Sequence, residues 1–419
     1  MPEQDNEKTT QGANQQPGPL DGLLIADFSR VLAGPYCTML LGDLGATVIK
    51  VESPAGDETR TWLPPDRDGI ATYYLAINRN KRAITLDFND PTDLQPAREL
   101  AARADIFIEN FKPGGLKRFG LDYDTVRQQN AGIIYASISG FGTAQGASLP
   151  GYDLIVQAVS GLMSMTGAPD GSAYRSGIAL FDVMAGLHAA LGILAALNHR
   201  SRTGEGQHIE ISLLASALSG LVNHTSAYVA GGVIPTRMGN AHPSLFPYEP
   251  LPTADQELVI AAGNNGQFSK LCEILGVPEL ARDPRFANTE DRTNNREALR
   301  PLLVERLRTR PASEWFQRLS ATGVPCGPIN TIEGGVKLAR DLGLNPVVEV
   351  GSGDDAVPMI RHPITFSLTP PRHRLPPPAL GQDNEQIRAW LSRPAAQLEE
   401  IETASTARTK LSNQQHLEK

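Results

Sequence analysis

The sequence predicts an α/β fold: a parallel sheet covered by helices on both faces, joined to a smaller α+β unit. Three observations carry this. From residue 23 to residue 137, short apolar runs of strand character alternate with helical stretches, the pattern of parallel strands linked by crossover helices. A long, almost wholly apolar helical stretch then begins near Leu180 and gives way to strand-like alternation. From Leu258 onward the period changes again, to one strand followed by amphipathic helices.

Residues 23–28 (LLIADF) read as a buried strand, 29–35 as a loop, 36–44 as a short helix and 46–52 (ATVIKVE) as a second strand. Pro35 suits a first helical turn and Gly45 a helix end. The unit repeats with a strand at 83–87, a helix at 92–104, a strand at 106–109, a helical stretch around 123–129 and a strand at 132–137. Ligands of such sheets sit beyond the carboxyl ends of the strands. The loops to watch are therefore 29–35, 53–60, 110–115 and 139–152. No G-x-G-x-x-G follows the first strand and no Walker A sequence occurs, which argues against dinucleotide and P-loop chemistry. Two basic groups remain, Arg79, Lys81 and Arg82 in NRNKR and Lys112, Lys117 and Arg118 in ENFKPGGLKRFG. They read either as partners of a polyphosphate or as solvated surface charges.

In the stretch 175–212, Leu180, Met184, Leu187, Leu191 and Leu194 recur at helical spacing, and Val183, Ala190 and Leu197 widen the stripe. The helix is expected to be buried. His199, Arg200 and Arg202 suit its negative end, the TGEG run at 203–206 makes a turn, and 207–212 alternates as a strand. Asp182 does not fit a merely buried helix. In or just before the first turn, free N–H groups and the helix dipole favour a carboxylate and are expected to keep it ionised. Such a carboxylate in apolar surroundings is either a nucleophile or an ordinary N-cap. Further on, 213–229 reads as one apolar helix, 258–262 as a strand, and 267–275, 296–308 and 311–322 as helices, the last closed by Gly323. Pro-rich sequence follows to about residue 381, with a final helix at 386–391.

Acidic residues outnumber basic ones, 46 to 38, for a formal charge of −8. This argues against general binding to nucleic acid or anionic membranes, so an anionic ligand needs a local basic cluster. Cys37, Cys272 and Cys326 have no metal-ligand spacing, which predicts reduced thiols and no metal. Cys326 in GVPCGP reads either as a nucleophile or as a small buried residue at a turn. Residues 1–19 lack the apolar segment of a signal peptide, and the longest apolar run, 183–197, is short for a membrane span. A cytoplasmic protein without membrane or nucleic-acid partners is expected.

The segments DFSRVLAGPYCTMLLGDLGATVIKVE (27–52), NKRAITLDF (80–88), ENFKPGGLKRFG (109–120), YDLIVQAVSGLMSMTG (152–167), GIALFDVMAGLHAALGILAAL (177–197), TGEGQ and GVPCGPIN occur in this order. With them the chain resembles the class III CoA-transferases, typified by formyl-CoA transferase and including the α-methylacyl-CoA racemases, over roughly residues 20–392. The resemblance implies a Rossmann-like large domain built from both chain ends, a smaller inserted α+β domain and an interlocked homodimer. The corresponding boundaries are a disordered tail at 1–19, the large domain at 20–225 and 361–396, linkers at 226–245 and 331–360, the small domain at 246–330 and a polar tail at 397–419.

The resemblance places the catalytic aspartate at Asp182. It assigns CoA, as part of the substrate and not as a tightly bound cofactor, to Leu32, Ala33, Leu86, Asp87, Phe88, Asn110, Phe111, Arg118, Tyr152 and Asp153. Trp62 and Tyr73 match acyl-pocket positions. Leu32 replaces a glutamine of formyl-CoA transferase, which speaks against formate and oxalate as substrates. The glycine run that closes over the aspartate there is replaced by RMGNAHPS at 237–244. In that segment Arg237 and His242 are offered to the distal carboxylate of an acceptor acid, with Gly239, like the GNN turn at 263–265, supplying flexibility. The implied reaction moves CoA from an acyl-CoA, of the succinyl-CoA type, to a short dicarboxylic acid through aspartyl anhydride and thioester intermediates. The rivals are a racemase, which needs a base where this chain has Tyr152 and Asp153, and a non-catalytic CoA-binding subunit.

Overall fold

A computed structural model of the chain describes residues 17–393. The expected tail at 1–19, up to residue 16, the end of the segment 361–396 and the whole polar tail at 397–419 lie outside the described residues. The chain divides into two units. The first comprises residues up to Ser160, Ser176–Thr225 and the segment from Asn345 on, and the second comprises Gly161–Arg175 and Ser226–Leu344.

In the first unit, β1 (Leu24–Asp27), α1 (Ala33–Asp43) and β2 (Thr47–Glu52) form the expected βαβ unit. The short helix α2 (Thr72–Ala76) precedes β3 (Lys81–Thr85), and α3 (Pro91–Arg103), β4 (Ile106–Glu109), α4 (Tyr123–Gln129) and β5 (Ile134–Ser139) follow. Then come α5 (Asp153–Val159), α6 (Leu180–Thr203), β6 (Gln207–Ser212) and α7 (Leu213–Gly220). Local chemistry sets the ends. Asp90 accepts the N–H of Thr92 to open α3, with Pro91 in its first turn. After α1, Gly45 has φ 116° and packs so closely on Asp21 that a Cβ would lie 2.1 Å from its carboxylate, so only glycine makes this turn.

The six strands are all parallel, in the order β3-β2-β1-β4-β5-β6. Alternate strand residues such as Ala26, Ile49, Ile84, Phe107 and Tyr135 form one core with α3, α4 and the C-terminal helix Asn384–Leu391. Phe28, Phe107 and Tyr135 stack through it, with centroids 4.5 and 4.6 Å apart. Helices α1 and α6 pack on one another. The strand order reverses between β1 and β4, the switch point at which such sheets bind ligands.

Helix α6 departs from expectation. Phe181, Ala185, Ala189, Ile193 and Ala196 are buried, but Leu187 is 45% and Leu191 66% exposed. An apolar surface that runs all round the helix is covered by one chain on one side only. An 18-residue window within its 24 residues has a mean hydropathy of 1.9, enough to cross a membrane by length and composition alone, so the length argument against a span does not hold. The helix expected at 213–229 is two, α7 and Val222–Val229. The break follows Gly220, where a Cβ would fall 1.9 Å from Met184 Cε.

In the second unit β7 (Tyr248–Pro252), β8 (Glu257–Ala261) and β9 (Cys326–Pro328) form an antiparallel sheet in the order β9-β8-β7. It shares a core with α8 (Asn265–Leu275), α9 (Arg296–Leu307) and α10 (Ala312–Ser320). The stretch expected as the linker 331–360 carries a helix of this unit, Ile332–Asp341, and then a hairpin of the first unit, Val347–Val350 with Val357–Ile360.

Candidate active site

The loop leaving β1 turns at Val31, a β-branched residue at φ 69°, where such a side chain is strained. Two anchors hold it. The N–H of Val31 donates to both oxygens of Asp57 at 3.3 Å. Asp57 in turn accepts from Nζ of Lys50 at 2.9 Å, and the same ammonium donates to the carbonyl of Ser29 at 3.1 Å. Lys50 and Asp57 have no exposed side-chain surface. Burial would raise the Asp57 carboxyl, but the Lys50 ammonium and the Thr59 hydrogen bonds outweigh it and hold it below the usual range. The second anchor crosses the switch point. Asn110, at the end of β4, accepts the N–H of Arg30 at 3.0 Å and donates to its carbonyl at 2.7 Å.

Between these two loops opens a cavity of about 370 Å³ whose wall includes Arg30, Leu32, Ala33, Asn110, Phe111, Lys112, Tyr152 and Asp182. It stands beyond the carboxyl ends of the strands, where the sheet order reverses. Of the residues assigned to CoA, it brings together Leu32, Ala33, Asn110, Phe111 and Tyr152 with the candidate nucleophile. Others stand apart from its wall. Phe88 joins an aromatic group with Phe28, Phe111 and Phe119, at centroid distances of 5.7, 6.4 and 5.5 Å. The guanidinium of Arg118 lies 4.4 Å over the Phe119 ring. Leu86 is buried and donates its N–H to the Glu52 carbonyl, while the carboxylate of Asp87 accepts from the backbone and side chain of Asn89.

Asp182 lies in the first turn of α6. Burial pushes its carboxyl up to about 7, with the charge of Asp153 adding to the effect. This reverses the expectation that the helix end keeps it ionised, for a local reason. Ala179, at the N-cap, has no capping side chain. Oδ1 of Asp153 instead accepts the N–H groups of Phe181 and Asp182 at 2.7 and 3.1 Å. The donors that would stabilise the Asp182 anion are spent on a second carboxylate that also repels it. Asp153, assigned to CoA by resemblance, is buried and uses its oxygens on its own chain. Tyr73 stands near both aspartates. Burial, then the charges of Asp182 and Asp153, push its phenol up to about 12, so it is a neutral donor, and its ring meets Trp62 edge-on at 4.9 Å.

The NRNKR group is neither a phosphate site nor a solvated face. Arg79 donates to both oxygens of Asp43 at 2.9 and 2.6 Å, and Lys81 donates to Asp27 at 3.1 Å and to Pro35 and Asn78. Arg82 is 3.8 Å from Asp383, and all three basic residues are buried. The acidic partners lie 36 and 54 residues before Arg79 and Lys81, so local sequence gave no sign of them. Lys112 of the other basic group does line the cavity.

Within the second unit, Nη1 of Arg237 donates to the carbonyl of Ser164 at 3.2 Å, and its Nε is buried without a partner among the described residues. Gly239, at φ 63°, donates its N–H to Gly167. His242 Nδ1 accepts the N–H of Ser244 at 3.0 Å, and its ring meets Tyr248 at 5.1 Å. The GNN turn is the entry to α8, with Asn264 accepting the N–H of Gln267.

The sequence reading missed Lys50, Asp57, Glu109 and Gln157. For Lys50 a signal existed, since an ammonium inside an apolar strand run must find a buried partner. For Gln157 it was the four-residue spacing from Asp153, which puts both side chains on one helix face.

Residues 20–384 match CoA-transferase family III. The chain belongs to that family. As a CoA-transferase it takes CoA thioesters as substrates. A succinate–glutarate CoA-transferase of Agrobacterium fabrum is 41% identical over 406 residues, 94% of this chain and 98% of that protein. The human succinyl-CoA:glutarate CoA-transferase is 41% identical over 376 residues, 88% of this chain and 85% of that one. The crystal structure of a CaiB/BaiF family protein from Brucella suis matches with a TM-score of 0.80 at 43% identity, over 90% of this chain and 100% of that one.

Proposed function

We propose that this enzyme moves CoA from succinyl-CoA to a short dicarboxylic acid, with Asp182 as the covalent carrier. The observation that carries the reading is the place of Asp182, the carboxylate of the α6 first turn, in the wall of the switch-point cavity. The substrates in the names of the two relatives support the choice of donor and acceptor.

An oxygen of ionised Asp182 attacks the thioester carbonyl, the C–S bond breaks, and CoA leaves as a thiolate from a mixed anhydride. The thiolate then attacks the Asp182 carbonyl of that anhydride, releasing the donor acid as its carboxylate and leaving an aspartyl-CoA thioester. The acceptor carboxylate attacks this thioester and expels the thiolate, which recaptures the new acyl group and frees Asp182. Thioester is exchanged for thioester, so the change is nearly isoenergetic, and the intermediates must be kept from water. The neutral phenol of Tyr73 supplies a donor near the oxygens that gain charge, and Arg30 and Lys112 in the cavity wall supply cations for the phosphates of CoA.

The geometry speaks against a racemase. Of the pair at 152 and 153, Asp153 is engaged by three donors of its own chain, and a tyrosine is a poor base near neutral pH.

The active form in this reading is a homodimer, with the chains interlocked as the resemblance implies. Leu154, Ile155 and Val159 of α5, Leu187, Leu191 and Leu194 of α6 and Leu218 of α7 are all exposed, and these three helices pack on one another. A contiguous apolar face of this kind marks an interface, and a second copy covers it here. Sedimentation of the wild type as a dimer, and of Leu191→Glu as monomer or aggregate, is expected.

The reading of the reaction is tested by supplying succinyl-CoA and acetyl-CoA with glutarate, citramalate and oxalate. Transfer from succinyl-CoA to a dicarboxylate is expected, and its absence across the panel sinks the substrate assignment.

A further inference from the structure

We propose that Asp153 and Gln157 of α5 act as a positioning pair for the nucleophile, clamping the segment that leads into α6 and fixing how Asp182 meets the acyl group. This rests on the reading of Asp182 as the covalent carrier. The two side chains are one helical turn apart, and both are buried. Gln157 accepts the N–H of Ser176 at 2.8 Å and donates to the carbonyl of Ile178 at 3.0 Å and to Oδ2 of Asp153. Oδ1 of Asp153 takes the N–H groups of Phe181 and Asp182. The pair thus ties the chain at 176, 178, 181 and 182, and the last tie is to the backbone of the nucleophile itself.

The arrangement is more than a cap. A helix start led by alanine needs a foreign acceptor for its first N–H groups, and a neutral one would serve. A carboxylate instead sets a like charge beside Asp182. Other titratable groups stand on the elements around it. Helix α2 brings Tyr73, α1 carries Tyr36 and Asp43, β5 and β6 carry Tyr135, His208 and Glu210, His188 lies further along α6, and the cavity wall adds Arg30, Glu58 and Lys112. Beside burial, the charge that acts on Asp182 is that of Asp153. Asp153 therefore holds the nucleophile in place and also makes it a stronger base than an ordinary carboxylate once ionised.

The test compares Asp182→Ala, Asp153→Asn and Asp153→Ala in the full-length enzyme, reading kcat, KM for acyl-CoA and the pH profile of kcat, each corrected for folded fraction. Asparagine keeps an acceptor for the two N–H groups but drops the charge. Its acid limb is expected at lower pH than that of wild type, with kcat on the plateau within about threefold. Alanine drops both, and kcat is expected to fall at least about tenfold with KM changed less than about threefold. If Asp182→Ala is inactive while both Asp153 variants keep the wild-type kcat and acid limb, the positioning role is overturned. A uniform loss of folded protein with no movement of the limb in Asp153→Asn overturns it equally, by reducing Asp153 to a structural cap. Activity in Asp182→Ala overturns instead the reading on which the proposal rests.

Discussion

Asn110 and Arg30 exchange two hydrogen bonds across the point where the sheet order reverses, the side-chain amide of one closing on the backbone of the other. One residue thereby couples the loop after β1 to the loop after β4, and the cavity lies between them. Asn110→Ala removes both bonds while leaving the buried core intact. The expected result is a KM for acyl-CoA raised roughly tenfold, from about 1–2 kcal/mol of lost loop ordering, with kcat changed far less. Steady-state kinetics with the acceptor held at saturation check this.

The buried pair of Arg79 and Asp43 supports the fold and not the ligand. Arg79→Ala leaves the Asp43 carboxylate without its guanidinium, and a loss of about 3–5 kcal/mol in unfolding free energy is expected. The KM for acyl-CoA of the remaining folded enzyme should match wild type. A raised KM with unchanged stability would return this arginine to the phosphate role that its sequence context suggested.

Much of the fold was legible because strand and helix periods are local. The alternation from β1 to β5 and the lone Asp182 ahead of an apolar helix could be read from neighbouring residues. What failed was non-local. NRNKR reads as a phosphate site or as surface charge until Asp27 and Asp43 are seen beside it, and Asp182 reads as ionised until Asp153, from another helix, takes the N–H groups meant for it. The exposure of α6 was invisible for a related reason, since apolar residues all round a helix do not say which chain covers them.

Glu109 introduces a second titration. Burial pushes its carboxyl up to about 7, with the Ser137 hydroxyl and the Phe111 N–H pulling the other way. The Phe111 N–H donates to it at 2.7 Å, in the loop that lines the cavity. Ionisation strengthens that bond, so KM for acyl-CoA is expected to fall as pH rises from 6 to 8. In Glu109→Gln the KM should lose this dependence, while the acid limb of kcat, which belongs to Asp182, persists.

Stability should carry the signature of Asp182 as well. Its folded carboxyl titrates near 7 against an ordinary value of 3.8, so between these values the folded state binds more protons than the unfolded one. Its contribution to stability therefore falls as pH rises through that window. Asp182→Ala should gain on wild type by about 1–3 kcal/mol between pH 4 and pH 7, the partial exposure of the side chain keeping the figure small. Urea unfolding at several pH values reads this directly, and a gap that does not widen contradicts it.

Arg237 has a buried Nε without a partner among the described residues and is proposed to meet the distal carboxylate of the acceptor, with His242 as its alternative. Loss of such a charge-assisted contact is worth about 1.5–3 kcal/mol. The acceptor KM should accordingly rise roughly ten- to a hundredfold in Arg237→Ala or His242→Ala, and unchanged acceptor kinetics in both variants would reject the assignment.

The covalent role of Asp182 is open to a direct trap. Wild-type enzyme is incubated with succinyl-CoA, quenched with hydroxylamine, digested and mapped by mass. An anhydride or thioester at Asp182 is converted to the hydroxamate, so the account predicts loss of activity together with a label on the peptide that contains Asp182, and no label without the acyl-CoA. A hydroxamate found only on another residue, or transfer activity surviving in Asp182→Ala, would contradict it.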